Sequence, residues 1–376
     1  MTRDDAVAPR TTDLLPPIPQ TILDALADAG APFSLADAVP EPQDAPPLRW
    51  GILGAGGIAS TFATDVPARS SGRVVAVGSR DQARAQAFID AHPGAGKGHS
   101  VRAHGSYEAL VADPEVDAVY VATPHNFHCD QAILALEAGK PVLVEKSFAR
   151  SAAEARRIFD AARRAGLFAM EAMWTRFLPG QVLLRALVGS GVLGEIGYVR
   201  ADHLQSLLHV ERMNRPDLAG GALLDLGVYP VSFIHSLLGV PESQVATGRL
   251  SPAGVDLHEI VAMTYPDACA VATSAMNVRS GTSAEVVGSD GRVVLPVQFY
   301  RPGKLEIILD DSAGTGTQYD WDATFAGGFQ FQAAEVARCL AAGKTESETM
   351  PWQATLEVLE MMDEIRRQIG LLFPGE

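Results

Sequence analysis

Directly after the apolar run Leu48-Arg49-Trp50-Gly51-Ile52-Leu53 the chain reads Gly54-Ala55-Gly56-Gly57-Ile58-Ala59, a G-x-G-x-x-A sequence that opens a helical pattern. Each small residue answers a separate steric demand. Gly54 permits a tight turn, Gly56 lets backbone approach a pyrophosphate, and Ala59 allows a helix to pack closely on its strand. Gly57 and Ile58 belong to the first turn, whose free N–H groups face the anion.

The surrounding pattern agrees with a dinucleotide fold. Strand-like runs at 74–77, 118–121 and 142–144 alternate with helical patterns at 82–91 and 130–138, the latter closed by Gly139 with Pro141 beyond. Ser151 and Glu154 form a capping box for a helix that runs to Gly166. Such alternation predicts an α/β fold whose N-terminal Rossmann-type parallel sheet binds its ligand at the carboxyl ends of the strands. At the end of the second strand the chain reads Ser79-Arg80-Asp81, with Arg84 one helical turn on. Ser79 can donate to a ribose 2′-phosphate, and Arg80 and Arg84 can neutralise it, so NADP is expected. The alternative is NAD, with Asp81 holding the 2′-hydroxyl.

After about residue 170 the pattern changes to Gly-Gly turns and longer strand-like segments at 260–265, 269–276 and 304–309, with Asp290-Gly291 as a hairpin signal. This half reads as an α+β domain with a largely antiparallel, open-faced sheet. Two helical patterns, 330–341 and 351–369, close the chain. The expected organisation is a Pro-rich arm or tether over 1–47, a nucleotide-binding domain over 48–170, and a substrate and oligomerisation domain over 171–376. The last helix is expected to be able to pack back on the first domain. A length of 376 residues with 47% hydrophobic content suffices for two cores.

A formal net charge of -15 disfavours nucleic acid and anionic membrane as partners. The first residues, including Arg3, Asp4 and Asp5, carry no apolar leader pattern, and no stretch is read as long enough to span a bilayer. Cys129, Cys269 and Cys339 lie far apart without Cys-x-x-Cys spacing, so neither a disulfide framework nor a metal site is signalled, and a cytoplasmic location is expected.

Four further stretches, together with the fingerprint, resemble the Gfo/Idh/MocA oxidoreductase family, in its dihydrodiol and NADP-dependent xylose dehydrogenase branch. They are Ala122-Thr-Pro-His-Asn-Phe-His128, Val144-Glu-Lys-Ser147, Met170 to Pro179, and Gly220 to Pro230. The resemblance implies that Thr123, Pro124, Asn126 and His128 lie along the cofactor. For His125 and His128 a surface role stays open. It further implies that Lys146 reaches the substrate oxygen and nicotinamide while Glu145 orients the site. Ser147 replaces the family's proline, so the preceding peptide can be trans, or cis if its surroundings hold it.

In the same branch a tyrosine stands for the family's catalytic histidine, and Tyr229 matches it. Tyr229 is then the acid/base, Lys146 favours its phenolate, and Asp225 orients the pair. A packed core tyrosine and a helix-capping aspartate are the structural alternatives. Trp174 and Arg176 are implied at the nicotinamide and substrate pocket, or else form an interdomain packing pair. His203, His209 and Arg212 are expected near the pocket mouth. The implied activity is hydride transfer between NADP(H) and a sugar, polyol or diol. A silent nucleotide-binding sensor and a cofactor-recycling epimerase or dehydratase are the alternatives. The resemblance also implies a homodimer or higher homo-oligomer formed through the open sheet face, where Ala270, Ala272 and Ser274 would permit flat packing.

Overall fold

A computed structural model describes residues 10–310 and 314–375. Arg3, Asp4, Asp5 and Pro9 lie outside the described residues. The first sheet contains β1 (Arg49–Leu53), β2 (Arg73–Gly78), β3 (Arg102–His104), β4 (Ala118–Val121), β5 (Val142–Glu145) and β6 (Ala169–Ala172). Its order is β3-β2-β1-β4-β5-β6, and every pair is parallel. β4, β5 and β6 are buried along their whole length, because helices cover both faces and no side chain meets water. β6 runs to Ala172, so the boundary expected at 170 falls inside a strand; the first sheet ends two residues later. The strand order reverses between β1 and β4, which opens a crevice beside the carboxyl end of β1.

The helix Ala152–Ala165 begins as its sequence requires: Ser151 Oγ accepts from Glu154 N at 3.3 Å, and Gly166 ends it with φ 64°. The reciprocal half of the capping box differs. The Glu154 carboxylate accepts from Arg150 N at 3.0 Å, one residue before the cap, because the Arg150 guanidinium also binds it.

The second sheet comprises β7 (Ile196–Leu204), β8 (Ser243–Leu250), β9 (Asp256–Thr264), β10 (Cys269–Ala275), β11 (Ala284–Gly288), β12 (Gly291–Leu295), β13 (Lys304–Asp310) and β14 (Gly316–Asp322). The order is β14-β13-β12-β11-β7-β10-β9-β8, antiparallel except between β7 and β10. The helix Val228–Leu238 packs on β7 and β10 from one side. Ala270, Ala272 and Ser274 face that helix and are at most 2% exposed. This corrects their expected place on the open face: their small side chains let the helix approach, while Val271 and Thr273 alternate to the other side. On that open side Val245 and Ile260 are 69% and 50% exposed.

The arm expected to behave as a tether is packed over its described part. Its helix Gln20–Asp28 buries Ile22 and Leu26 completely. Trp321 Nε1 of β14 donates to Pro16 O at 2.8 Å, and Arg338 donates to Glu41 O at 2.6 Å. Apolar residues at helical spacing outweigh the prolines in deciding the outcome.

The final helix, Trp352–Ile369, lies across both sheets. Trp352 stacks on Phe159 of the first domain at 5.0 Å, and Trp352 Nε1 donates to Ala169 O at 2.9 Å. The same helix packs on β8 and on Val228–Leu238. The stretch Pro216–Leu238, with mean hydropathy 1.4, is long and apolar enough to cross a bilayer, which corrects the reading that no stretch is. Its most apolar 18 residues are 83% buried inside the protein, where their side chains serve the core.

Candidate active site

A cleft of ≈ 800 Å³ runs from the fingerprint, past the ends of β4 and β5, to the start of the helix Val228–Leu238. At one end Gly54 adopts φ 108°, and a Cβ there would come within 2.8 Å of Ala122 O, so only glycine fits. Gly56 is the N-cap of the helix Gly57–Arg69 and offers no side chain to its first N–H groups. Those donors, beside Gly57 and Ile58, face open space suited to an anion. Ala59 is fully buried under the helix and does not line the cleft.

Ser79, Arg80, Arg84 and Tyr107 line the adjoining end. Arg84 donates to Ala55 O at 3.4 Å, and neither arginine is ion-paired among the described residues. Asp81 turns away from the cleft and caps its own helix, accepting from Ala83 N at 2.8 Å. Two guanidiniums without a carboxylate partner among the described residues and a committed carboxylate suit a 2′-phosphate rather than a 2′-hydroxyl. A glycine cradle, an open helix N-terminus and this basic end together fit a phosphorylated dinucleotide.

The far end holds the chemistry-bearing groups. Lys146 Nζ donates to Asp225 O at 2.7 Å, stands 3.5 Å from Asp225 Oδ1, and lies 4.9 Å above the Tyr229 ring. Arg212 donates to both Asp225 oxygens, at 3.1 and 3.2 Å. Asp225 lies on a π-helical turn, Leu223–Gly227, that runs straight into Val228–Leu238; Pro230, inside this continuous helix, offers no N–H to the carbonyls of the preceding turn. Asp225 therefore does not cap a helix; it pairs with two cations. The Lys146–Ser147 peptide is cis, and Ser147 Oγ donates to Leu224 O at 3.0 Å, a bond across the domains that proline could not make.

Burial opposes ionisation throughout, and charge partners decide each outcome. Burial raises the Asp225 carboxyl, but Lys146 and Arg212 more than reverse that and hold it well below the carboxylate range. Burial works against the Lys146 ammonium, yet Asp225, Tyr229 and Glu145 outweigh it and raise its pKa. Tyr229 goes the other way. Burial pushes its phenol to about 12 despite Lys146 and the bond from Trp174. The expected phenolate is thus not the resting form, because removal from water costs it more than one ammonium returns. Burial also lifts Glu145 to about 7, against the bond from the Tyr120 hydroxyl and the charge of Lys146. His125, 4.0 Å from Asp225, is held neutral by burial with a pKa of about 3.

Thr123, Pro124, Glu145, Lys146, Asp225 and Tyr229 all line the cleft. Asn126, His128, Trp174 and Arg176 do not. His128 is fully buried, its ring nitrogens 2.9 Å from Ser147 O and 2.7 Å from Thr123 O, so it ties two loops together behind the cleft wall. Phe127 and His125 take the wall positions expected for Asn126 and His128, since the chain turns through a short 3₁₀ segment there. Arg176 points to Ser232 Oγ, Ser232 O and His235 Nδ1 at 3.1–3.3 Å and packs between helices. Trp174 stands directly behind the cleft, with Nε1 donating to the Tyr229 hydroxyl at 3.2 Å. Of the three mouth residues, Arg212 lines the cleft; His203 stacks on Tyr300 at 4.3 Å behind Tyr229, and His209 lies away.

Sequence reasoning missed Tyr107, Phe127, Gln131, Arg215, Asp217 and Leu218 on the lining. Gln131 was within reach, since it lies one helical turn beyond Phe127 and accepts from Thr123 Oγ1 at 2.5 Å. Arg215 to Leu218 carry no periodic signal.

Residues 48–173 match the oxidoreductase family model with an NAD-binding Rossmann fold, and 182–294 match the GFO/IDH/MocA C-terminal domain. The chain belongs to the Gfo/Idh/MocA oxidoreductase family. Within it, the chain is 35% identical to a D-xylose 1-dehydrogenase (NADP(+)) of Hypocrea jecorina, over 87% of this chain and 93% of that one. It is 36% identical to the trans-1,2-dihydrobenzene-1,2-diol dehydrogenase of Bos taurus, over 88% and 99%. Among solved structures it resembles a 3-ketoreductase from Actinomadura kijaniata in complex with NADP and TDP-benzene, with TM-score 0.76 and 27% identity over 86% of this chain and 98% of that one.

Proposed function

We propose that this protein is an NADP(H)-dependent oxidoreductase that moves hydride between nicotinamide and a carbinol or carbonyl carbon of a sugar, polyol or trans-diol. The observation that carries this reading is the meeting of Lys146 and Tyr229, with Nζ 4.9 Å from the ring, in the same cleft as the dinucleotide fingerprint. Ser79, Arg80 and Arg84 would hold the 2′-phosphate, and the backbone after Gly56 the pyrophosphate. The bound nicotinamide supplies or accepts the hydride.

The chain's own residues handle the proton and the charge. Tyr229, protonated up to about 12, gives its proton to the carbonyl oxygen as that oxygen gains negative charge. Lys146 stabilises the developing alkoxide and the tyrosinate left behind. Asp225 keeps Lys146 charged and, with Arg212, fixes its direction. In alcohol oxidation the same groups act in reverse, with tyrosinate as base. A polar wall of His125, Lys146, Arg212 and Asp225 suits a hydroxylated substrate.

Exchanging Tyr229→Phe is expected to lower turnover about 10²–10⁴-fold, the usual worth of a positioned acid or base, with NADPH affinity within about twofold. Absorbance of reduced nicotinamide against a panel of aldoses, polyols and diols, with fluorescence titration of NADPH, measures both. Full turnover in the variant would remove Tyr229 from the mechanism.

For assembly, the proposal is a homodimer through the open face of the second sheet, supported by exposed Val245 and Ile260 on adjacent strands. Free thiols at Cys129, Cys269 and Cys339 suit the reducing cytoplasm, which is the proposed location.

A further inference from the structure

The π-helical turn Leu223–Gly227 fixes where Asp225 meets Lys146, and two buried acids of β9 hold that turn from below. Asp256 and Glu259 are each 1% exposed and take no part in the cleft. Asp256 Oδ2 accepts from Leu223 N at 2.5 Å, and the Asp256 and Glu259 carboxyls lie close enough to influence each other's ionisation. Gly221, at φ 125°, has no side chain where a Cβ would stand 2.0 Å from Asp256 Oδ1, so the chain passes directly over the acid. Glu259 Oε1 accepts from Ser274 Oγ, while Oε2 has no protein donor. At Gly227 a Cβ would lie 2.6 Å from Ser274 Oγ and 3.1 Å from Glu259 Oε1, so the far end of the same turn rests on this pair.

Two carboxylates cannot share such a site with both ionised. The donors differ in kind: Asp256 receives the Leu223 N–H of the turn itself, whereas Glu259 receives one hydroxyl. We infer that Asp256 is a positioning residue that seats the π-helical turn, and that Glu259 carries a proton and donates it as a hydrogen bond to the Asp256 carboxylate. Burial and the neighbouring Asp256 charge push Glu259 well above the usual carboxyl range, which agrees with that division. The turn is then clamped from both domains. Lys146 Nζ and Ser147 Oγ bind the carbonyls of Asp225 and Leu224 from one side, and Asp256 accepts from its N–H end on the other.

The kinetic part of this inference rests on the proposed role of Lys146 and Tyr229; the structural part does not. Hydrogen exchange of the NADP-bound protein therefore comes first. In Asp256→Asn and Glu259→Met, amide protection over 222–227 is expected to fall at least tenfold, with protection in β4 and β5 unchanged. Glu259→Gln, whose amide replaces the lost donor, is expected to keep it. Turnover follows the same order: at least tenfold down in the first two variants, within about twofold in Glu259→Gln, with NADPH affinity preserved in all three.

Unchanged protection in Asp256→Asn, or a Glu259→Gln loss equal to that of Glu259→Met, overturns the assignment. If Asp256→Asn does not fold, Glu259→Met against Glu259→Gln decides alone. Lost protection with unaltered turnover would leave Asp256 seating the turn while removing Lys146 and Asp225 from the mechanism, so the two failures are separable.

Discussion

Tyr229 is a protonated phenol until about pH 12, and this sets opposite pH behaviour for the two directions. Carbonyl reduction uses the phenol, already the resting form, so its rate is expected to stay flat through neutral pH. Alcohol oxidation uses the phenolate, whose fraction rises about tenfold per pH unit below the pKa, so its rate climbs with pH. Initial rates in both directions from about pH 6 to pH 10 test this, and an oxidation rate that levels off near neutrality contradicts Tyr229 as base. Lys146→Met removes the one nearby ammonium that favours the phenolate, so its oxidation limb is expected to move to higher pH. At the other end of the cleft, Arg80→Ala is expected to weaken NADP about ten- to hundredfold and NAD hardly at all, the worth of one charge-assisted bond. Binding titrations with both cofactors check it. Lys146, Asp225 and Tyr229 were legible because they belong to the segments that carry the family resemblance, and all three line the cleft. His128 and Arg176 were not, since adjacency in sequence says nothing about which way a side chain leaves a tight turn. His128 turned inward to two carbonyls and Arg176 to Ser232.

Elements were legible to the extent that their patterns had one interpretation. Strands of the first sheet are apolar on both faces, so no choice of face was needed. In β10 the choice mattered: Ala270, Ala272 and Ser274 are small enough for either face, and the helix above them decided it. The π-helical turn left no trace, because an i→i+5 pattern over five residues has no periodicity to read. The helix Gln20–Asp28 shows the reverse error, where proline content hid a short amphipathic segment. Leu26 is fully buried there, and Leu26→Ala is expected to cost about 2–5 kcal/mol of stability, the usual range for a core leucine. Denaturant unfolding measures it, and a loss near zero would show that the segment contributes nothing to the fold.

At the level of the whole molecule, the open sheet face is the largest commitment. Val245 pairs with Ala262, which pairs with Val271, so three apolar side chains form a row on that side, with Ile260 beside them. Placing a charge there, as in Ile260→Glu, is expected to convert a dimer into monomers without loss of fold, because the side chain points away from its own core. Light scattering reads the mass directly; a monomeric parent protein refutes the dimer. The last helix sets a different constraint. Trp352 is stacked on one domain while the same helix packs on the sheet of the other. A hinge between them would have to peel that stack apart at every turnover. Ligand access is therefore expected to involve the segment around Arg212 to Leu218, which lines the cleft away from that helix. With the two domains joined by that helix, product release is expected to depend on this strip of two short 3₁₀ turns rather than on a domain hinge.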